Sequence, residues 1–520
     1  MKYVPFLATI FFAAGCGSPS AEGPESSLPI LAPEGKTDDY YSNVSREFEV
    51  SATVLVAMTD AEYASEDTRK GIIGRRLTAV GVYLTAYVTA KLSGFYSNTD
   101  YGGFHAMVRN QTSKAMAITK VDGGCQARFT VDMAGPPNLL TLIPRVSDDL
   151  AQPGALVFDL LMPKGASMDE DMFTLAEVRD FDPNTYAGEL ETLRCTIRSL
   201  PSSANAYPEY RAFIADSVFD ITMFQGYDYN ADRGDLSLSR ETFNDLRDRL
   251  SFSTPVKQFE DLKADSGPLV RTIKANGRDL RIEVRIFHSD MFVGKRAEQK
   301  ALALAEITRR DVFFYNGHAG PYYGFYLDSD REAEISSSDF ASAPFTNRKQ
   351  LFVAAGCQTY SQYADMIYAH PAKNESNLDV ITTVNFSYAI GNLRLLRSLI
   401  RTDDAGNLDP VNYYEIISDF NSGFPGDSVN INEDVYYGVI GIGDNPALHP
   451  FANSATIGET CWTHAGCGDV TGNRCARTSL KTLLLGRCTA VSLSRAACPT
   501  GTHFSRIVEG SLAREGVCHK

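Results

Sequence analysis

Read from its sequence, the chain is a multi-domain protein. A β-rich, sandwich-like domain occupies residues 45–205, an α/β domain with a mainly parallel sheet flanked by helices occupies 206–455, and a small disulfide-rich module occupies 456–520. Three observations predict this. Up to about Leu200, runs rich in β-branched and aromatic residues are separated by clusters of Gly, Asn, Asp and Pro, the pattern of strands joined by turns. Beyond the loop PSSANAYPEY, strand-like and helix-like runs alternate, as in a parallel sheet with helical crossovers. Six of the ten cysteines follow Thr460. A length of 520 residues is too great for one core and corresponds to about three or four domains.

The first residues read as a secretion signal. Lys2 supplies a positive start, Tyr3 to Ala14 an apolar stretch too short to span a bilayer, and Ala13-Ala14-Gly15 precede Cys16. Ala-Ala-Gly-Cys resembles a bacterial lipobox, which implies that residues 1–16 are a lipoprotein signal with Cys16 as the acylated residue. Ala13 departs from the Leu common at that place. Residues 17–44, rich in Ser, Pro, Gly and Glu, read as a disordered tether to the membrane. Gly17 lacks the Asp of inner-membrane retention, so the expected place is the outer membrane or cell surface. With 49 basic against 64 acidic residues, no excess of positive charge invites a nucleic-acid partner.

In the β-rich domain, EFEVSATVLVAMT and CQARFTVDM alternate as strands, whereas Arg75 to Leu92 fits either a strand or a helix. In the α/β domain the strands are SVFDITMFQ, RDLRIEVRIF, DVFFYN, QLFVAAG, DVITTVNFS and a closing DVYYGVIGIG. Helices are expected at LSRETFNDLRDRLS, AEQKALALAEITRR, SQYADMIYAH and IGNLRLLRSLIRT.

Secretion permits disulfides. Cys461, Cys467, Cys475, Cys488, Cys498 and Cys518 form an even set implying three bridges, and Cys125 with Cys195 makes a further pair. That leaves Cys357 as the odd thiol; pairing Cys357 with Cys125 or Cys195 is the alternative.

Two apolar strands end close to reactive residues. Val312 to Tyr315 leads to His318, and Leu351 to Ala355 leads to Cys357, 39 residues later. If the strands are parallel neighbours, the two side chains meet over the sheet's carboxyl edge, where open α/β folds place their sites. A thiol attacks a carbonyl as thiolate, and an imidazole can take its proton and return it to the leaving amine. The N–H groups of Cys357 and of the Ala319-Gly320 turn are the candidate oxyanion donors.

Order discriminates among cysteine peptidases: papain-like enzymes carry the cysteine first, caspases the histidine about 50 residues upstream. Here the histidine comes first. With NGHAG, AAGC, DVITTVNFS and GIGDNPAL in place, the region from about Ala215 to Leu448 resembles the caspase/haemoglobinase fold of peptidase clan CD and is most similar to the gingipains. The resemblance implies a caspase-like domain, with Cys357 as nucleophile and His318 as general acid/base of an endopeptidase acting on peptide or protein substrates. The family's His-Gly is here His318-Ala319, which leaves open a degenerate relative. The alternative is a non-catalytic, caspase-fold surface binding or adhesion lipoprotein.

In YDYNADRGDLSLSRE, Asp228, Asn230 and Asp232 alternate as calcium ligands do, with Glu241 following, but Arg233 stands where the loop glycine belongs. The other readings are an Asx-rich turn capping the next helix and a wall of a substrate pocket in which Asp228 or Asp232 attracts a basic side chain. No cofactor is required beyond such a structural calcium. His105, His288, His370, His449, His464, His503 and His519 show no constellation, and no nucleophile elbow, His-Glu-x-x-His or phosphate loop occurs.

Overall fold

The structure is a computed structural model. It describes residues 40–92, 106–149, 152–168, 181–201, 205–228, 233–319, 324–328, 334–385, 387, 391–422, 437–462, 464–467, 472–476, 486–506 and 516–520. Cys16, most of the tether, His105, Asn230, Asp232 and Gly320 lie outside the described residues. Within the expected tether, Tyr40–Tyr41 (β1) is an ordered strand whose ring residues are buried. It pairs with the far edge of the central sheet before the chain enters the N-terminal domain.

Inward and outward residues alternate along Arg46–Ala57 (β2), with Phe48, Val50, Ala52, Val54 and Val56 buried. That is the pattern of a sheet covered on one face. The antiparallel sheet is completed by Met107–Val121 (β3), Gly124–Gly135 (β4), Ser147–Asp148 (β5), Leu156–Pro163 (β6) and Leu190–Ser199 (β7), in the order β3-β4-β2-β7-β6-β5. The expected sandwich is a single sheet instead. Its cover is the helix Glu66–Leu92, which buries Ile73, Leu77, Val80, Leu84 and Val88 against Phe129, Val131, Phe158 and Ile197. Spacings of three and four put these side chains on one helical stripe, which settles the ambiguous stretch.

Cys125 and Cys195 are free and buried, correcting the expected bridge. They sit on β4 and β7, on opposite sides of β2, facing Val56 and Ala52 respectively. Two strand spacings (~10 Å) and four residues (~13 Å) separate them, beyond the reach of a disulfide.

The α/β domain carries Val218–Gln225 (β8), Leu269–Ala275 (β9), Arg278–His288 (β10), Val312–Asn316 (β11), Gln350–Ala355 (β12), Leu378–Thr383 (β13) and Tyr437–Ile440 (β14). The eight-stranded sheet runs β1-β14-β13-β12-β11-β8-β10-β9. Its five central strands, β13 to β10, are parallel; β9 and β14 run against them, and β1 pairs antiparallel with β14. Every residue of β11, β12 and β13 is buried because helices cover both faces. Gly234–Asp248, Gly391–Leu399 and Tyr413–Asn421 pack on one side, and Arg296–Arg309, Ser337–Ser342 and Tyr363–Tyr368 on the other. The hairpin of β9 and β10 turns at Asn276-Gly277, both at positive φ, as an Asn-Gly two-residue turn requires.

The C-terminal module is built on Gly486–Ser492 (β17), with Thr460–Cys461 (β15), Asn473–Ala476 (β16), His503–Arg506 (β18) and Gly516–His519 (β19) around it. Its bridges are Cys461–Cys475, Cys467–Cys488 and Cys498–Cys518. It joins the α/β domain by strand-like contacts, His449 N–H to the Val491 carbonyl (3.0 Å) and Leu493 N–H to that of Ala447 (2.8 Å). The described residues from 32 onward belong to one compact unit, and no helix among them is long and apolar enough to cross a membrane.

Candidate functional site

Three parallel strands end together. Asn316 of β11 is level with Gln225 of β8 on one side and Ala355 of β12 on the other, and the Asn316 side-chain amide donates to the Gln225 side-chain oxygen (2.6 Å). His318 is the second residue beyond β11 and Cys357 the second beyond β12. Asp228 is the third beyond β8. The chain runs from β8 to β10 on one side and returns to β11 on the other, so the order of strands reverses between β8 and β11. Asp228 and His318 flank that reversal, the crevice at which doubly wound sheets bind ligands.

Missing Cβ atoms let the loops close on one another. A Cβ on Gly356 would lie 2.4 Å from the methyl carbon of Ala319, and one on Gly226 would lie 2.2 Å from the Tyr326 carbonyl oxygen. The Ala319 that departs from the gingipain pattern is therefore seated directly against the residue before Cys357. The histidine loop is tied down by the Tyr315 hydroxyl, 2.5 Å from the His318 carbonyl oxygen and 2.8 Å from that of Tyr326.

Cys357 is half-buried, unlike the fully covered Cys125 and Cys195. Three described cysteines are thus free, and counting alone does not single out Cys357 as expected; its accessibility and its place at a strand end do. Burial pushes its thiol up, opposed by the main-chain N–H groups of Ser387 and of Cys357 itself. The Ser387 hydroxyl in turn bonds the Tyr437 hydroxyl. Ser387 follows β13 as Cys357 follows β12, and the strand-end logic that found the cysteine would have found it too. The next residue, Gln358, has a left-handed backbone (φ 57°, ψ 31°), a sparsely populated conformation for a side chain of this size. Hydrogen bonds hold it there: Gln358 N–H to the Asn385 carbonyl (3.0 Å), the Thr359 hydroxyl to the Ala354 carbonyl (2.8 Å), and Thr383 N–H to the Thr359 hydroxyl (3.0 Å).

Asp228 faces two ways. Oδ1 is 3.7 Å from His318 Nε2, and Oδ2 accepts from the N–H of Gly234 at the start of the helix Gly234–Asp248 (3.0 Å). A carboxylate at that range can orient an imidazole. Glu241 lies on that helix. Beside Asp228 opens a cleft of about 640 Å³ lined by Tyr227, Arg233, Ser289, Asp290, Arg296 and Asp328 among others. Arg233 is fully engaged there, stacked on Tyr227 and paired with Asp235 and Asp290. Among the described residues, the one trio with metal-ligand spacing is Cys461, Cys467 and Cys475, whose sulfurs are taken by disulfides.

The remaining described histidines are held in structural contacts. His288 is buried against Phe259. His370 accepts from Ala372 N–H just past the helix Tyr363–Tyr368. His449 is buried beside Tyr207, and burial pushes it down to about 3. His464 accepts from Cys475 N–H, and His503 faces His519 across β18 and β19. No protein-family model matches this chain, and none of the curated proteins or solved structures compared with it matches either.

Proposed function

We propose that this protein is a cysteine endopeptidase of the bacterial cell envelope, a remote relative of the gingipains with a caspase-like α/β domain. The observation that carries the reading is the matched placement of His318 and Cys357, each two residues beyond adjacent, in-register parallel strands, with Asp228 behind the imidazole. In this mechanism the Cys357 sulfur attacks the peptide carbonyl carbon as His318 takes the thiol proton. The N–H groups of Cys357 and Ala319 receive the oxyanion, and His318 then protonates the departing amine. Water, deprotonated by His318, hydrolyses the thioester. The upward push on the thiol favours proton transfer during attack over a stored thiolate–imidazolium pair.

Incubating the full chain with a peptide mixture at neutral pH and identifying new termini by mass spectrometry tests this. Cleavage that vanishes in Cys357→Ala is the expected result, and cleavage unaffected by that change refutes it. The same raised thiol favours a second reading, a non-catalytic binding lipoprotein on a caspase-like scaffold, for which no cleavage is expected under any condition. The membrane anchor at Cys16 is part of both readings. It is tested by the mass of the mature N-terminus, with an acylated cysteine expected.

A further inference from the structure

The N-terminal domain reaches the turn that carries Cys357. Arg109 on edge strand β3 is 1% exposed and forks onto Asp365, Nε to Oδ2 at 2.8 Å and Nη2 to Oδ1 at 2.6 Å. Asp365 lies on the helix Tyr363–Tyr368, one turn past the 3-10 turn Thr359–Ser361 that follows the cysteine. Glu47 on β2, also buried, accepts from the Tyr360 hydroxyl (2.7 Å) and lies 4.0 Å from Arg109. Tyr40 of β1 packs edge-on against the Tyr360 ring at 5.5 Å. Tyr360 is three residues from Cys357. Two buried charges from one domain thus grip both elements that continue from the cysteine in the other.

Burying charges is costly, and an apolar contact of the same volume would hold two domains together at least as well. What the polar contacts add is direction: a bidentate guanidinium fixes the helix in rotation and in height, while the Glu47–Tyr360 bond fixes the turn. Gln358 holds its left-handed backbone between these anchors and the β13 hydrogen bonds. We infer that Arg109 and Glu47 are positioning residues, through which the N-terminal domain sets the presentation of the Cys357 thiol. This rests on the peptidase reading of that site.

The test uses the full chain carrying Tyr360→Phe, Arg109→Lys, or the paired Arg109→Met/Asp365→Leu change. Tyr360→Phe removes only a hydroxyl and keeps the test available should the charge variants fold poorly. Two rates are read: alkylation of Cys357, Cys125 and Cys195 by iodoacetamide, resolved by peptide mass, and kcat with KM on a cleaved peptide. A loosened turn is expected to expose the thiol and misalign it. Cys357 alkylation then rises about tenfold while kcat falls about tenfold at unchanged KM, with Cys125 and Cys195 still protected. Both rates staying within about twofold of the parent would overturn the inference, as would Cys125 and Cys195 becoming reactive in parallel, which marks general opening. Selective exposure of Cys357 in a chain that hydrolyses nothing would uphold the positioning role and refute the peptidase reading. Hydrolysis that continues unchanged in folded variants would do the reverse.

Discussion

The two ends of the same parallel strands are built differently. At the amino edge, charges are numerous, buried and answered. Asp220 and Asp311 each accept the other's main-chain N–H (2.7 and 3.1 Å). Arg310 pairs with Glu306 and Asp220, and Arg348 with Asp311. Asp379 at the start of β13 accepts from Tyr413 (2.5 Å) and Asn445 (2.6 Å) and, fully buried, is pushed up to about 7; burial and the neighbouring Asp220 push Asp311 up as well. At the carboxyl edge, His318 is 41% exposed, Cys357 half-buried and Gln358 left-handed. The most perturbed carboxylates therefore sit at the edge of the sheet opposite the candidate site. A shifted acid marks a desolvated acid, and only its place in the fold tells chemistry from architecture.

Substitutions at the two edges should separate accordingly. The largest effect is expected from Cys357→Ala, a loss of peptide hydrolysis of at least about a thousandfold with an unchanged urea midpoint. Retained hydrolysis would erase the functional half of the contrast. Next, Asp228→Asn should lower kcat by about a hundredfold, the low end for a positioned acid/base system, because His318 loses its carboxylate. An unchanged kcat would return Asp228 to the role of a helix cap.

Gly356→Ala should cost about 1–3 kcal/mol in urea unfolding, as overpacking does, and should slow hydrolysis, since the new methyl meets Ala319 at 2.4 Å. Adding Ala319→Gly should recover most of both. A double variant no better than the single would show that the two loops do not touch there.

The smallest and most specific effect belongs to the amino edge. Asp379 is ionised in the unfolded chain above about pH 4 but stays protonated in the folded one up to about 7. Its contribution is thus present at low pH and lost as pH rises through that window. The stability advantage of the parent over Asp379→Asn should shrink between about pH 4 and 7 and level off above, read from urea midpoints, with hydrolysis untouched at each pH. An advantage that grows with pH would reverse the sign and place a cation beside the carboxylate.

Much of this was legible along the chain because it is local. The strands β8, β10, β11, β12 and β13 and four of the helices follow from apolar runs and their periods, which a buried backbone must satisfy segment by segment. His318 and Cys357 stood out by the same rule, as reactive residues following apolar runs. The three C-terminal bridges were countable, though not their connectivity. Cys125 and Cys195 misled, because equal counts carry no distance, and β2 lies between them.

What the sequence by itself determined is the alternation of the main strands and helices in the α/β domain, the division into three regions and the two residues at the strand ends. The tertiary structure decided what lies next to what. It turned the expected sandwich into one sheet under a helix, because the stripe from Ile73 to Val88 found that face to cover. It set Asp228 against His318, Ser387 beside Cys357, and Arg109 against Asp365 across 256 residues of chain. Such contacts depend on strand order and domain packing, which arise from the burial of whole faces and leave no period or spacing in the chain.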